Sequence, residues 1–452
     1  MFKKILAAVM SAVMILAMSS CGKRDNEQVP EAAVTEDGKK IVKVYAGYTP
    51  YDDLYSDIAA FNRKSSAYEV QLTEYQKEFE EPLKRLNTDI TTGNPPDILI
   101  IDNTMPLKSY NDKGLFADLY EFIDSDPDMK REDFIGSFLK ANETDGKLFK
   151  ISSDFYIETV IGKTSLVGEK QGRTAEEFFE LAESYPDKKM FGSDVTKHGA
   201  LSTFTLFGYS EYVDLNTGEC HFNSSEFIKL LEFCSSFPNS ADENNGENNF
   251  RFSKNEADLY NGNILVSADR GITHFGAIRQ LEHGIFGEPV TFIGFPGVGG
   301  NGSVIRIPSS EYAIMSNAAN KEGAWEFVKY ILSEEYQDRI YEEKLMFPIR
   351  TSSLKKAAEE AKKGSYDGDK GEYVEPAWIL NGEIIKLGVN TDEDNRKVFG
   401  LIDSAVGVSG FEVYVYDIIT EEAAAYFSGQ KSAKEVAEII QNRVQNYLDE
   451  NR

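Results

Sequence analysis

The stretch GNPPDILIIDN, Gly93 to Asn103, decides the fold. Ile98, Leu99, Ile100 and Ile101 follow one another without polar alternation, which predicts a strand covered on both faces, as in parallel sheets. The run stops at Asp102-Asn103. At the carboxyl end of a strand in an open α/β sheet, two such polar side chains sit where ligands bind. Asp and Asn also start ordinary turns, so the neighbouring elements must decide between a rim and a loop.

Those neighbours alternate. Ile41 to Tyr45 reads as a strand, Leu54, Tyr55, Ile58 and Phe61 as a helix stripe, and Val70 to Tyr75 as a second strand. A helix through Leu83, Leu86 and Ile90 then leads into the opening strand. Right-handed crossovers turn β-α-β-α-β into a parallel sheet with helices on both faces. With the first strand between the other two, the winding reverses there, and a crevice opens beside Ala46 to Thr49 and Asp102-Asn103. The polar stop then reads as the rim of a binding cleft.

A second α/β unit follows. YIETVIG (Tyr156 to Gly162) is strand-like, and Thr174 and Glu177 have capping-box spacing at the head of a helix. Phe227, Leu230, Leu231 and Cys234 recur at i, i+3, i+4, i+7, which puts Cys234 in a core. NILVSA (Asn263 to Ala268) predicts a strand stopping at Asp269-Arg270, and VTFIGFPG (Val290 to Gly297) another. Asn320 is a plausible N-cap for a helix with Ala324, Phe327, Val328 and Ile331 on one face. From Asp392 the tail is helical, with a second capping box at Ser432 and Glu435. There is no internal repeat.

The chain has 452 residues, more than one core usually uses, so two lobes are expected. The formal charge is −27, and residues 1–20, with Lys3, Lys4 and no acid, leave −29 on the remainder. Such a surface repels nucleic acid and anionic membranes, so neither is an expected partner. Lys3-Lys4, the apolar Ile5 to Ala17, and Ser19-Ser20 before Cys21 have the order of a secretory signal, too short to span comfortably. Gly22 to Lys40 is polar and reads as a flexible tether. Cys220 and Cys234 are expected either as a disulfide or as two small apolar thiols.

Several motifs fail on context. GVGGNG (Gly297 to Gly302) matches a dinucleotide fingerprint in letters, but the strand-like SVIRIP follows instead of a helix, so it reads as a glycine-rich hairpin. Gly162-Lys163-Thr164 ends like a phosphate loop, yet Ile157 stands where its first glycine belongs. DGDKG (Asp367 to Gly371) lacks the spacing of a calcium loop. The 4 histidines are scattered, and neither HExxH nor GxSxG occurs. The 75 acids offer too many carboxylate pairs to single one out for glycoside hydrolysis. Neither a metal nor any other cofactor is expected, and nothing catalytic stands out.

Five segments in order resemble the extracellular solute-binding proteins of carbohydrate-type ABC importers. They are the lipobox-like region before Cys21, LNTDITTGNPPDILIID with KGLFADLYEFI, TAEEFFELA, NKEGAWEFVKYILSEEYQ, and EEAAAYFSGQKSAKEVAEIIQNRVQNYL. The resemblance implies a two-lobed α/β fold of the periplasmic-binding-protein type (type II), each lobe a sheet flanked by helices, closing about crossing segments near Ile151, Ser309 and Phe347. It implies a signal peptide over 1–20, a tether over 21–40, one lobe from 41–150 with 311–347, and the other from 151–310 with 348–452. It also implies a bacterial lipoprotein of Gram-positive type, lipidated at Cys21 and held at the outer face of the cytoplasmic membrane by acyl chains alone. Its partners would be a small solute, most naturally a sugar, and ABC permease subunits; it would not be an enzyme. A non-sugar solute, a sensor role and a glycan-active enzyme are the alternatives.

By position, the resemblance places ligand contacts at Tyr48, Thr49, Asp102, Asn103, Phe155, Tyr156, Asp269, Arg270, and Tyr414 or Tyr416. Carboxylates, amides and guanidinium groups bond sugar hydroxyls in pairs, and aromatic rings cover the C–H faces. Two departures stand against the pattern. LFKISS (Leu148 to Ser153) lacks the proline common at that crossing, and of only 2 tryptophans Trp378 alone is a candidate platform, Trp325 lying on a helix that reads as structural. The 23 tyrosines would then supply most of the stacking.

Overall fold

The structure, a computed structural model, describes residues 32–47, 52–78, 81–102, 105–214, 217–239, 255–299, 301–366, 373–380, 382–407 and 413–450. Its principal elements run β1 (Lys40–Ala46), α1 (Asp52–Lys64), β2 (Tyr68–Glu74), α2 (Pro82–Thr91), β3 (Ile98–Ile101), β4 (Asp154–Lys163), α3 (Ala175–Ser184) and α4 (Ser225–Ser235). There follow β5 (Val266–Ile272), β6 (Val290–Phe292), β7 (Val304–Arg306), β8 (Glu311–Ile314), α5 (Lys321–Leu332), α6 (Glu334–Lys344), β9 (Phe347–Pro348), α7 (Asp392–Ser404), α8 (Val413–Phe427) and α9 (Ala433–Glu450).

The first sheet has the order β8-β3-β1-β2, with β1 parallel to β2 and β3, and β8 antiparallel to β3. β1 therefore lies between β2 and β3, and the winding reverses as the sequence predicts. All four residues of β3 are buried. Ile98 and Ile100 join Val42, Val44, Leu54, Phe61 and Phe327 on one face, where α1 and α5 pack. Leu99 and Ile101 join Tyr45, Leu86 and Ile90 on the other, where α2 packs. Double-sided burial explains the unbroken aliphatic run. Tyr55 departs from the expected α1 stripe: it is partly exposed, and its hydroxyl donates to Glu74 Oε2 at 2.8 Å.

Caps behave as their residue types predict. Asn320 accepts from Gly323 N at 3.0 Å and heads α5, whose Ala324, Phe327, Val328 and Ile331 are buried. Each fully buried Val, Ile or Phe contributes about 1.5–3 kcal/mol. Asp97, just before β3, accepts from Lys43 N at 2.8 Å and Asn320 N at 2.7 Å, tying β1 to the head of α5. Thr174 with Glu177 and Ser432 with Glu435 form capping boxes.

The second sheet is built on β4, antiparallel to all its partners. Ile161 and Gly162 pair with both β5 and β6, while Ile157 and Glu158 pair with both β5 and β7. β6 and β7 thus lie end to end along the edge opposite β5. The glycine segment between them is a loop and not the expected hairpin. Gly294 and Gly302 touch there backbone to backbone, both at positive φ, where a Cβ would collide with main-chain atoms. β5 also departs from expectation. It continues through Asp269-Arg270 to Ile272, because Arg270 and Gly271 find ladder partners in Thr159 and Glu158. One face of this sheet buries Val160, Val266 and Val304 against α4, α8 and α9. Cys220 and Cys234 belong to that core as free thiols.

The chain passes between the sheets beside itself. Ile151 bridges Tyr312 of β8, and Tyr156 pairs with Arg306 of β7, so the two connecting segments run antiparallel between these points. On the other edge, Phe347 and Pro348 of β9 pair with Phe155 and Asp154. Gln337, fully buried on α6, fastens the outgoing and returning strands. Its amide donates to Ser153 O at 2.9 Å and Ile331 O at 3.1 Å, and its oxygen accepts from Ile349 N at 2.9 Å and Arg350 N at 3.1 Å.

Candidate functional site

The carboxyl ends of β1 and β3 meet. A Cβ built on Gly47, just after β1, would stand 2.7 Å from Asp102 Oδ2, so glycine is what lets the carboxylate lie across the end of β1. Asp102 is half-buried. Burial, helped by the charge of Asp102, pushes the Tyr110 phenol up to about 12. Tyr55 and Glu74 stand at the end of β2 in the same sheet. Tyr48, Thr49 and Asn103 lie outside the described residues, as does Cys21.

β4 supplies a second surface by simple alternation. Phe155 is fully buried against Phe138 and Phe347, with ring centroids at 5.4 Å and 5.5 Å. Its ring fills the connection between the sheets and not a solute site. Period two then puts Asp154, Tyr156 and Glu158 on the opposite face. Arg306 is directly opposed to Tyr156, and Gly271 to Glu158, so both share that face. A Cβ on Gly271 would meet Tyr156 ring carbons at 2.8 and 2.9 Å; the glycine lets the ring lie across β5. Arg306 Nε is 3.2 Å from Glu158 Oε2, and its guanidinium lies 5.1 Å from the Phe207 ring centroid. Burial pushes the Glu158 carboxyl above the usual range, with Arg306 opposing the shift.

Lys344, the last residue of α6, joins the two surfaces. Its ammonium lies 2.8 Å from Asp53 Oδ2 at the head of α1 and 3.1 Å from Asp154 Oδ2 at the start of β4. Burial works against the charge, but Asp154 and Asp53 outweigh it and hold the lysine above its ordinary pKa. Asp154 also accepts from Ser153 Oγ at 2.7 Å. Asp53 Oδ1 and Asp154 Oδ1 are buried, and no donor among the described residues reaches them.

The other candidates lie apart from this strip or at its margin. Arg270 pairs with Glu256 at 3.3 Å, its Nε buried without a hydrogen-bond partner among the described residues. Asp269 is an in-strand residue of β5. Trp378 is half-buried with its indole against the backbone of Gly284, where a Cβ would meet it at 2.7 Å, so it anchors the Ala377–Leu380 strand. Tyr416 shares a hydrogen bond of 2.7 Å with Ser202, and Tyr414 is exposed beside Tyr447 at 5.8 Å. Asp53, Asp154, Glu158, Arg306 and Lys344 were absent from the sequence reading. The alternation D-F-Y-I-E over 154–158 carried the signal for Asp154 and Glu158.

Among the described residues no group of three His, Cys, Asp or Glu side chains could hold a metal ion. The arrangement offers carboxylates, a guanidinium, an ammonium and a tyrosine ring along the junction of two helix-flanked sheets. It suits reversible capture of a polar solute.

Solved structures share this two-lobed α/β fold. The sugar-binding protein MalE from Xanthomonas citri is 14% identical, with a TM-score of 0.57 over 91% of this chain and 98% of that one. The ABC substrate-binding protein Lmo0181 from Listeria monocytogenes, in complex with cycloalternan, is 16% identical, with a TM-score of 0.53 over 91% and 99%. An ABC transporter solute-binding protein from Thermotoga lettingae, bound with α-D-tagatose, is 16% identical, with a TM-score of 0.52 over 91% and 100%. The fold and the strip at its junction define a two-lobed binding protein. The sequence profile of the family described as bacterial extracellular solute-binding protein matches residues 58–364, and the chain belongs to that family. No curated protein matches it.

Proposed function

We propose that the protein captures a sugar or oligosaccharide outside the cell and delivers it to the permease of an ABC importer by closing its lobes. The observation that carries this is the polar face of β4, where Asp154, Tyr156 and Glu158 follow one another beside Arg306. A hydroxyl-rich solute needs donors, acceptors and an aromatic face within one reach, and that face presents all three. Asp102 would meet the solute from the first lobe. Tyr48, Thr49, Asn103, Asp269 and Arg270 remain proposed contacts, and Trp378, Tyr414 and Tyr416 belong to the margin.

In this reading one lobe comprises 41–150 with 311–347, the other 151–310 with 348–452, and Cys21 carries the lipid that keeps the protein at the outer face of the membrane. Among the described residues no helix is long and apolar enough to cross a bilayer. Solute bridging both lobes favours the closed state by its differential affinity, and closure is the signal a permease can read. Titration calorimetry against maltose, maltotriose, cycloalternan and D-tagatose tests the reading. Saturable binding with the sugar recovered unchanged supports it; no binding across the series, or turnover, removes it.

A further inference from the structure

Gly271 lies inside β5, with Glu158 of β4 as its ladder partner. A glycine within a strand has no side chain to pack and weakens the strand, so it marks a place that another group approaches closely. The backbone does not demand it here, since Gly271 is not among the glycines at positive φ. The approach is made by one side chain. A Cβ at position 271 would stand 2.8 Å from Cδ2 and 2.9 Å from Cε2 of Tyr156, and its next neighbour, Ile157 O, is at an ordinary 3.8 Å. At such separations a larger residue would force the Tyr156 ring to move.

Solvent reaches these groups. Gly271 is exposed and Tyr156 partly so, while the side chains of Glu158 and Arg306 keep 23% and 43% of their surface. The face they share is divided. Tyr156 leans diagonally across β5, a reach that aromatic side chains have in a sheet. Glu158 turns the other way, to Arg306 of β7 at 3.2 Å. An aromatic half thus lies over β5 and an ionic half toward β7. A saturated ring with a C–H face and hydroxyls at its rim matches both halves, because the tyrosine covers the first while a carboxylate accepts from and a guanidinium donates to the second.

We infer that Gly271 is a positioning residue for the solute, keeping free the place where the Tyr156 ring lies, so that one sugar ring stacks on Tyr156 and turns its hydroxyls to Glu158 and Arg306. The inference rests on the proposed capture of a sugar and adds the residue that keeps the apolar and polar halves of the face apart.

A double-mutant cycle tests it, because a residue that acts only through the ring has nothing left to do once the ring is gone. Gly271→Ala, Tyr156→Ala and the double variant are titrated in calorimetry with maltose, maltotriose, cycloalternan and D-tagatose, each beside a thermal melt of the empty protein. The unaltered protein is expected to bind at least one probe, and each single variant to weaken it roughly tenfold or more. The double variant is expected to bind no more weakly than Tyr156→Ala alone. Unchanged binding by Gly271→Ala overturns the inference and leaves sugar capture standing. A further loss in the double variant, as large as Gly271→Ala causes alone, also overturns it, since the glycine would then act without the ring. Where Gly271→Ala fails to fold, the double variant decides: removing the ring removes the clash, so restored folding supports the inference and a double variant that stays unfolded overturns it. Failure of the unaltered protein to bind any probe overturns both readings.

Discussion

Asp102 depends on a residue of another strand, because only glycine at position 47 leaves room for its carboxylate. If that carboxylate bonds solute hydroxyls, its removal takes away a partner that water cannot replace after closure. Such a loss costs about 1–3 kcal/mol, roughly ten- to hundredfold in affinity. Asp102→Ala is therefore expected to weaken binding in calorimetry while the empty protein melts nearly unchanged; lost stability with intact affinity would make Asp102 a turn residue. Asp57 makes a different prediction. Burial raises its pKa to about 6, against the hydrogen bond from Tyr336 and the charge of Lys344. The folded state thus holds this proton more tightly than the unfolded chain, whose aspartate titrates near ~3.9. Its contribution is fully present below the unfolded pKa and is lost as pH rises through about 6. Relative to Asp57→Asn, the unaltered protein is expected to gain on the order of 1 kcal/mol on going from about pH 7 to pH 5, read from urea midpoints at each pH. A constant difference between the two proteins would show that Asp57 does not titrate there.

At the level of elements, one side chain ties together the outgoing and returning strands of the connection between the sheets. Gln337 satisfies Ser153 O, Ile349 N and Arg350 N at once, in the interior. Removing it leaves several buried backbone groups unpaired, at about 1–3 kcal/mol for each that water fails to reach. Gln337→Ala is expected to lower unfolding stability by roughly 2–4 kcal/mol in urea; a loss below ~0.5 kcal/mol would mean that solvent enters the connection freely. How much of such architecture a sequence discloses depends on the range of the interactions. β3, the α5 face and the caps at Thr174, Asn320 and Ser432 were legible because their causes lie within a few residues. The end of β5 was not, since β4 supplies the partners that carry the strand past Asp269 and Arg270. Phe155 and Trp378 are aromatic in either role, and only packing shows that one fills the inter-sheet connection while the other lies on Gly284. Lys344 was beyond reach: its carboxylate partners are 291 and 190 residues away along the chain.

On the scale of the whole molecule, two expectations concern where the protein works and how it moves. Cys21 follows two small residues and precedes a polar stretch that gives no core. If it carries the acyl chains, Cys21→Ser is expected in the culture medium, while the unaltered protein stays with the cells; equal retention of both would remove the anchor. Motion follows from how the two sheets are joined. The backbone of the connection includes Ile151 beside Tyr312, the strand pair leading to Tyr156 and Arg306, and the short β9, and Phe138, Phe155 and Phe347 pack there. Rotation about it needs changes in a few backbone angles, whereas each sheet keeps its own flanking helices. A solute touching Asp102 on one side and Tyr156 or Arg306 on the other is bound best when the two surfaces approach. The equilibrium then shifts toward the closed state by the difference between its affinities for the two states. A hundredfold difference, about 2.7 kcal/mol, turns an even mixture almost wholly closed. Small-angle scattering with a saturating sugar from the calorimetric series is therefore expected to show a smaller radius of gyration than the empty protein. Identical profiles at saturation would retain the binding site but remove closure as the signal to a permease.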